Sequence, residues 1–161
     1  MTYKGKRAAM IMVIGAILLV MYVLYILFGN PPGSEDLKEW AILILKFLVS
    51  TVVIHVVAQI IYHIAYSIGI VFRENSTECN NVERIITSST MEDEMDKLIG
   101  LKASRAGQAF AGIGFILMIL TLALDFTAAF ALNAMFISLI IGSIAEGGVN
   151  VYLYERGVKN G

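Results

Sequence analysis

The sequence predicts an all-α polytopic membrane protein, a bundle of four transmembrane helices formed by residues 1–161 as a single membrane domain. Its composition is that of a chain solvated by lipid, with 58% hydrophobic and 16% charged residues, whereas soluble domains have about 45–50% and about 25%. Four apolar segments approach or exceed the roughly 20 residues that cross a hydrocarbon core as a helix. The only two prolines, Pro31 and Pro32, are adjacent, so little interrupts long helices.

The first two predicted spans cover residues 8–28 and 46–72. The first contains no charged residue and is longer than the roughly 7–15 apolar residues of a signal peptide, so we expect it to remain as a span. A Gly-Asn-Pro-Pro-Gly run at 29–33 ends it. Lys46 marks the outer boundary of the second span, and Trp40 before it is expected to anchor at the membrane interface.

The third and fourth spans share one apolar block that is too long for a single crossing. Its only acidic residue near the middle is Asp125, which predicts a tight helical turn at 124–127. The spans then cover residues 106–124 and 127–154. Asp125 or Thr127 is expected to cap the fourth helix.

The basic residues predict the orientation. In the four-span arrangement one side receives ten of the twelve Lys and Arg residues, which are Lys4, Lys6, Arg7, Arg73, Arg84, Lys97, Lys102, Arg105, Arg156 and Lys159. Basic residues concentrate on the cytoplasmic side of membrane proteins. We therefore expect a multi-pass protein of the cell membrane, with both termini and segment 73–105 in the cytoplasm.

Segment 73–105 is the largest water-facing part of this arrangement. Ser89 and Glu92 have the spacing of a capping box, which predicts a cytoplasmic amphipathic helix that continues into the third span. One interpretation is that this helix packs only against its neighbours. The other is that its Met-rich face and acidic flank dock a cytosolic protein partner, through Met91, Glu92, Asp93, Glu94 and Met95.

The same segment carries a resemblance to a known family. The run MEDEMDKLIGLKASR, residues 91–105, precedes a Gly/Ala-rich span. It resembles an uncharacterised family of small prokaryotic four-span membrane proteins with an acidic Asp-Glu stretch, an apolar pair, and then Lys-Ala and Arg before a span. The match covers about a tenth of the chain, and Met95 stands where that family has arginine. The resemblance implies the four-span architecture and a prokaryotic origin, but no activity.

Ionisable residues at membrane depth are costly and tend to be functional. Polar residues recur every four positions in the second span, as Thr51, His55, Gln59, His63 and Ser67, and small or polar ones recur in the fourth, as Ala134, Ser138, Gly142, Glu146 and Asn150. His63 and Glu146 each lie ten residues from an arginine at the cytoplasmic boundary, about 15 Å deep. We therefore expect the second and fourth helices to be parallel neighbours.

Within this polar site, the pair expected to meet is His63 with Glu146, flanked by Gln59 and Asn150. Matching by depth also places Gln59 opposite Gly142 and His55 opposite Ser138. Steps of four residues drift by about 40° each, however, so only two or three levels can face one straight neighbour.

Two interpretations of the His63–Glu146 pair remain open. The groups either satisfy each other and fix helix association, or form a site for a proton or a cation, since imidazole changes charge near neutral pH. Metal binding is less favoured, because His55 lies about 12 Å along the helix from His63. The sequence predicts no metal and no cofactor.

The motifs and the net charge limit the classes of function that the sequence predicts. The chain has no nucleophile elbow, HExxH motif, phosphate loop or dinucleotide fingerprint, so we do not expect an enzyme. A net charge of −1 disfavours a nucleic-acid partner. The favoured hypothesis is a non-catalytic regulatory or interaction protein. The alternative is a small dimeric proton-coupled transporter that uses Glu146 with His63. Gly107-x-x-x-Ala111 indicates helix packing first and a homodimer second.

Overall fold

The computed structural model describes residues 3–74 and 94–156. They form four helices: α1 (Tyr3–Phe28), α2 (Leu37–Glu74), α3 (Glu94–Ala123) and α4 (Ala128–Arg156). Each helix is long and apolar enough to cross a membrane. The predicted all-α class and the number of apolar spanning-length helices are therefore confirmed.

The four helices run alternately up and down around α4. Helix α4 packs most extensively against α3, then against α1, and only thinly against α2. The beginning of α1 and the end of α4 lie at one end of the bundle, where α2 ends and α3 begins. We call this the termini end. The opposite end, which carries the α1–α2 connection and the α3–α4 turn, is the turn end.

The seam between α3 and α4 is built on glycines. A Cβ added to Gly114 would lie 2.5 Å from the Cβ of Ser138, and one added to Gly142 would lie 2.9 Å from the carbonyl oxygen of Gly107. Ser138 donates a hydrogen bond of 2.7 Å to the carbonyl oxygen of Phe110. Small residues let two helix backbones approach closely, so these two helices form the tightest pair of the bundle.

An aromatic cluster fills the bundle on the turn-end side. Tyr22 is fully buried, and its ring meets Phe47 of α2 and Phe136 of α4 edge-on, at centroid distances of 4.9 and 4.7 Å. The Tyr22 hydroxyl donates to the side-chain oxygen of Asn133 at 2.5 Å. Ile140 is buried in the same cluster. This cluster ties α1, α2 and α4 together.

The connections explain where the helices end. At the α3–α4 turn Asp125 adopts a positive φ of 59°, and the amide of Phe126 donates to the carbonyl of Thr121, as in a Schellman C-cap. Thr127 is the N-cap of α4, since its hydroxyl accepts from the amide of Phe130. In the α1–α2 connection, the buried Trp40 donates its indole N–H to the carbonyl oxygen of Gly33.

Candidate ligand cavity at the termini end

A cavity of about 600 Å³ opens among the four helices at the termini end. Its volume is within the usual range of small-molecule sites, about 300–1,000 Å³. Every helix contributes to the wall, and α1 and α4 contribute most. The polar and charged lining residues are Tyr3, Lys4, Arg7, Gln59, His63, Asp96, Ser143, Glu146, Asn150 and Tyr154, and the remainder of the lining is Ala8, Ile11, Ile60, Gly100 and Gly147.

The mouth of the cavity is held by an ion pair that joins three helices. Lys4 of α1 donates to one carboxylate oxygen of Asp96 in the first turn of α3, and the hydroxyl of Tyr154 on α4 donates to the other at 3.1 Å. The side chains of Lys4 and Asp96 are only 21% and 14% exposed. A partly shielded charge pair with an additional donor is more firmly held than a pair on an open surface.

The first turn of α1 is also fixed to α2. The ring of Tyr3 stacks on Tyr62 at 5.2 Å and lies 4.2 Å from the ring of Tyr66, and the Tyr62 hydroxyl donates to the carbonyl of Tyr3. One turn further along, Arg7 donates from Nη2 to Oε1 of Gln59 at 2.6 Å. Arg7 therefore lies at the level of Gln59.

Glu146 lies deeper in the cavity, against α3. A Cβ added to Gly107 would lie 2.9 Å from Oε2 of Glu146. The carboxylate therefore occupies space that is free because residue 107 is a glycine. Glu146 is half-buried, and the residues described by the structure offer its carboxylate no hydrogen bond or ion pair. A carboxylate that faces a cavity without a partner among the described residues can bind a cationic group.

The cavity collects four of the five residues predicted for the polar site, namely His63, Glu146, Gln59 and Asn150. Across 3–74 and 94–156, however, no hydrogen bond or ion pair joins His63 to Glu146. The two groups line a shared space instead of satisfying each other. The expected contact between α2 and α4 exists, but it is thin.

His55 does not reach the cavity. Its Nδ1 pairs with the carbonyl of Thr51, one turn earlier on its own helix, at 2.8 Å, and its buried Nε2 has no hydrogen-bond partner in the described part of the chain. The expected facing of His55 with Ser138 and of Gln59 with Gly142 is wrong, because Ser138 and Gly142 face α3. The rotational drift of an i+4 series turns these residues away from α2.

Of the residues predicted to dock a partner, the structure describes two, and both lie in the first turn of α3 near Asp96. Glu94 and Met95 are exposed at the beginning of α3. Met91, Glu92 and Asp93 lie outside the described residues, as does the predicted capping box.

The charged half of the cavity was missed by the sequence reasoning. Lys4 and Arg7 counted only as indicators of orientation, and Asp96 only as an acidic residue in a first helical turn. A sequence signal existed for the basic pair, since both lie at i and i+3 on one helix face. Nothing in the sequence indicated that Asp96 and Tyr154 would meet, because they are 58 positions apart.

The described residues contain no group of three His, Cys, Asp or Glu side chains placed to hold a metal ion. Comparisons with known protein families, with characterised proteins and with solved structures give no match. The resemblance to a small prokaryotic membrane family therefore stays a prediction.

Proposed function

We propose that this protein is a non-catalytic integral membrane protein that binds a small polar solute in the cavity at the termini end and moves it across the bilayer in exchange for a proton carried by Glu146. The observation that supports this most is the half-buried carboxylate of Glu146, which has no hydrogen bond or ion pair among the described residues and faces a polar cavity of about 600 Å³.

Membrane insertion is supported by the outward face of the bundle. Large apolar side chains are exposed along every helix, for example Val20 at 56%, Ile61 at 61% and Ile116 at 65%. Such a surface suits lipid and not water. With the bias of basic residues, we infer that the termini end faces the cytoplasm.

Transport is supported by the contrast between the two ends. At the turn end the cluster around Tyr22 fills the space between α1, α2 and α4, whereas at the termini end a cavity lies among the helices. Helix α2 is attached mainly through a few aromatic contacts and thin packing. A shift of α2 against α4, where the packing is thin, would expose the site to the other side.

The test uses the purified full chain in proteoliposomes that contain a pH-sensitive dye. A panel of small amines, carboxylates and amino acids is added outside, and the change in internal pH is followed. We expect wild-type protein to move protons outward in exchange for at least one class of solute, which raises the internal pH, and Glu146→Gln to abolish the flux. Glu155→Gln is the matched control, because Glu155 lies exposed on the same helix outside the cavity lining.

Two outcomes contradict the proposal. One is a proton flux with Glu146→Gln that equals that of the wild type. The other is a wild-type flux that never exceeds that of empty vesicles with any solute of the panel.

The second candidate is a regulatory or interaction protein that presents segment 91–95 to a cytosolic partner. It is favoured by the position of Asp96, which directly follows that segment and holds the cavity mouth through Lys4 and Tyr154. A partner bound to segment 91–95 would therefore act on the contacts of Asp96 with Lys4 and Tyr154. Reversing the charges of Glu92, Asp93 and Glu94 should then abolish activity in cells while leaving the proton flux of the purified protein intact. If cells tolerate the triple reversal, this candidate fails. A homodimer, expected for either candidate, stays a prediction.

A further inference from the structure

We infer that the solute is a small zwitterion with separated charges, whose cationic group binds Glu146 and whose anionic group binds Arg7. The inference rests on the proposed function and names the class of its substrate. It arises from the charges that the cavity wall leaves uncompensated.

The wall contains two cations and two carboxylates besides His63. Lys4 and Asp96 neutralise each other in the ion pair at the mouth, with Tyr154 as an additional donor. Arg7 donates one N–H to the neutral amide of Gln59, which does not neutralise its charge. A guanidinium has five N–H donors in all. Glu146 has no partner among the described residues. One positive and one negative group therefore remain for a ligand.

The two remaining charges, on Arg7 and Glu146, are separated along the bundle axis. Gly147 lies against Met12, since a Cβ added to that glycine would be 2.9 Å from the Cβ of Met12. Glu146 therefore lies near the level of Met12, five residues beyond Arg7, which corresponds to about 7.5 Å of helix rise. Side chains tilt toward the N-terminus of their own helix, and α1 and α4 run in opposite directions, so the two charged groups diverge further.

The surface between these charges suits a short aliphatic chain. Ala8 and Ile11 follow Arg7 on α1 toward the level of Glu146 and line the cavity there, and Ile60 lines it beside Gln59. Asn150 and Ser143 add hydrogen-bonding groups beside Glu146, and His63 adds one on the opposite wall. An amine and a carboxylate joined by several methylene groups match this sequence of surfaces.

The test is calorimetric titration of the full chain in detergent with three ω-amino acids of increasing length, β-alanine, 4-aminobutyrate and 6-aminohexanoate. Butylamine and butyrate, which each carry one of the two charges of 4-aminobutyrate, are the matched probes. We expect at least one zwitterion to bind tenfold to a hundredfold more tightly than either single-charge probe, the range that one charged hydrogen bond contributes, about 1.5–3 kcal/mol.

Variants assign the two ends of the ligand. Arg7→Gln should weaken zwitterion binding to the level of butylamine without changing the affinity for butylamine. Glu146→Gln should weaken it to the level of butyrate without changing the affinity for butyrate. Lys102→Gln removes an exposed basic residue outside the lining and should change none of these affinities. Thermal unfolding of each variant shows whether it is folded.

The inference is overturned if no zwitterion binds wild-type protein, or if butylamine or butyrate binds as tightly as the best zwitterion. Its failure can be distinguished from failure of the transport proposal. Proton flux driven by butylamine alone would keep the transporter and overturn the zwitterion. Zwitterion binding without proton flux would keep the ligand class and overturn the transporter.

Discussion

Gly112 and Gly114 lie two residues apart on α3, but they have different surroundings. A Cβ at Gly114 would lie 2.5 Å from the Cβ and 2.7 Å from the Oγ of Ser138. Ser138 cannot withdraw freely, because it is buried and its hydroxyl is bonded to the carbonyl of Phe110. At Gly112 an added Cβ meets no atom within 4 Å.

We therefore predict that Gly114→Ala lowers the thermal unfolding temperature of the protein in detergent. Overpacking of a tight interface costs about 1–3 kcal/mol. Gly112→Ala is the matched control and should leave the unfolding temperature unchanged or raise it, since alanine favours a helix over glycine by about 0.8–1.0 kcal/mol. Equal destabilisation by both substitutions would contradict the close α3–α4 seam.

At this scale the sequence predicted the small residues of α3 but not their partners. Gly107 and Ala111 have the spacing of a packing motif, yet that spacing does not tell which helix approaches. The answer depends on Gly142 and Ser138, which were assigned to a seam with α2. Gly142 packs against Gly107 of α3 and not against Gln59 of α2, because two glycines let the helix backbones approach more closely than a glycine and a glutamine do.

Among the elements, the α3–α4 turn shows how an apolar block is divided without glycine or proline. Asp125 takes the left-handed conformation, with φ of 59°, which costs other L-residues about 1–2 kcal/mol and which aspartate tolerates better than most. Its amide and that of Phe126 cap the last carbonyls of α3. The single acidic residue in the block was the sequence signal for this turn.

We predict that Asp125→Gly stabilises the protein by up to about 1 kcal/mol and that Asp125→Val destabilises it by more than about 1 kcal/mol, because a β-branched residue fits positive φ poorly. Thermal unfolding in detergent measures both. Ala123→Val serves as the control, since residue 123 is exposed and helical and should lose only the helix propensity of alanine. If valine is as harmless at 125 as at 123, the capped turn is wrong.

For the whole molecule, hydropathy predicted four spanning-length helices. The reason is that a segment in lipid must pair all its backbone N–H and C=O groups, and a helix does so within the segment itself. The relative arrangement of the helices was less predictable. The sequence paired α2 with α4 by depth, whereas α4 packs chiefly on α3 and α1. The site was therefore predicted in part: the residues around His63 and Glu146 came from the polar series, but Lys4, Arg7 and Asp96 required the fold.

The orientation of the whole molecule can be tested with its only cysteine, Cys79, which lies in segment 73–105. If that segment is cytoplasmic, a membrane-impermeant maleimide added to intact cells should not label Cys79, and permeabilisation should expose it. On a Cys79→Ser background, Ser34→Cys and Leu124→Cys place thiols at two exposed positions of the turn end. Both should be labelled in intact cells.

Each outcome of this labelling distinguishes one topology from another, because the turn end and the termini end must lie on opposite sides of the membrane if all four helices cross it. Labelling of Cys79 alone in intact cells would invert the orientation and place the cavity mouth outside. Labelling of Cys79 and position 34 together would contradict the crossing of α2. Agreement of positions 34 and 124, opposed by Cys79, would establish four spans with the cavity open to the cytoplasm.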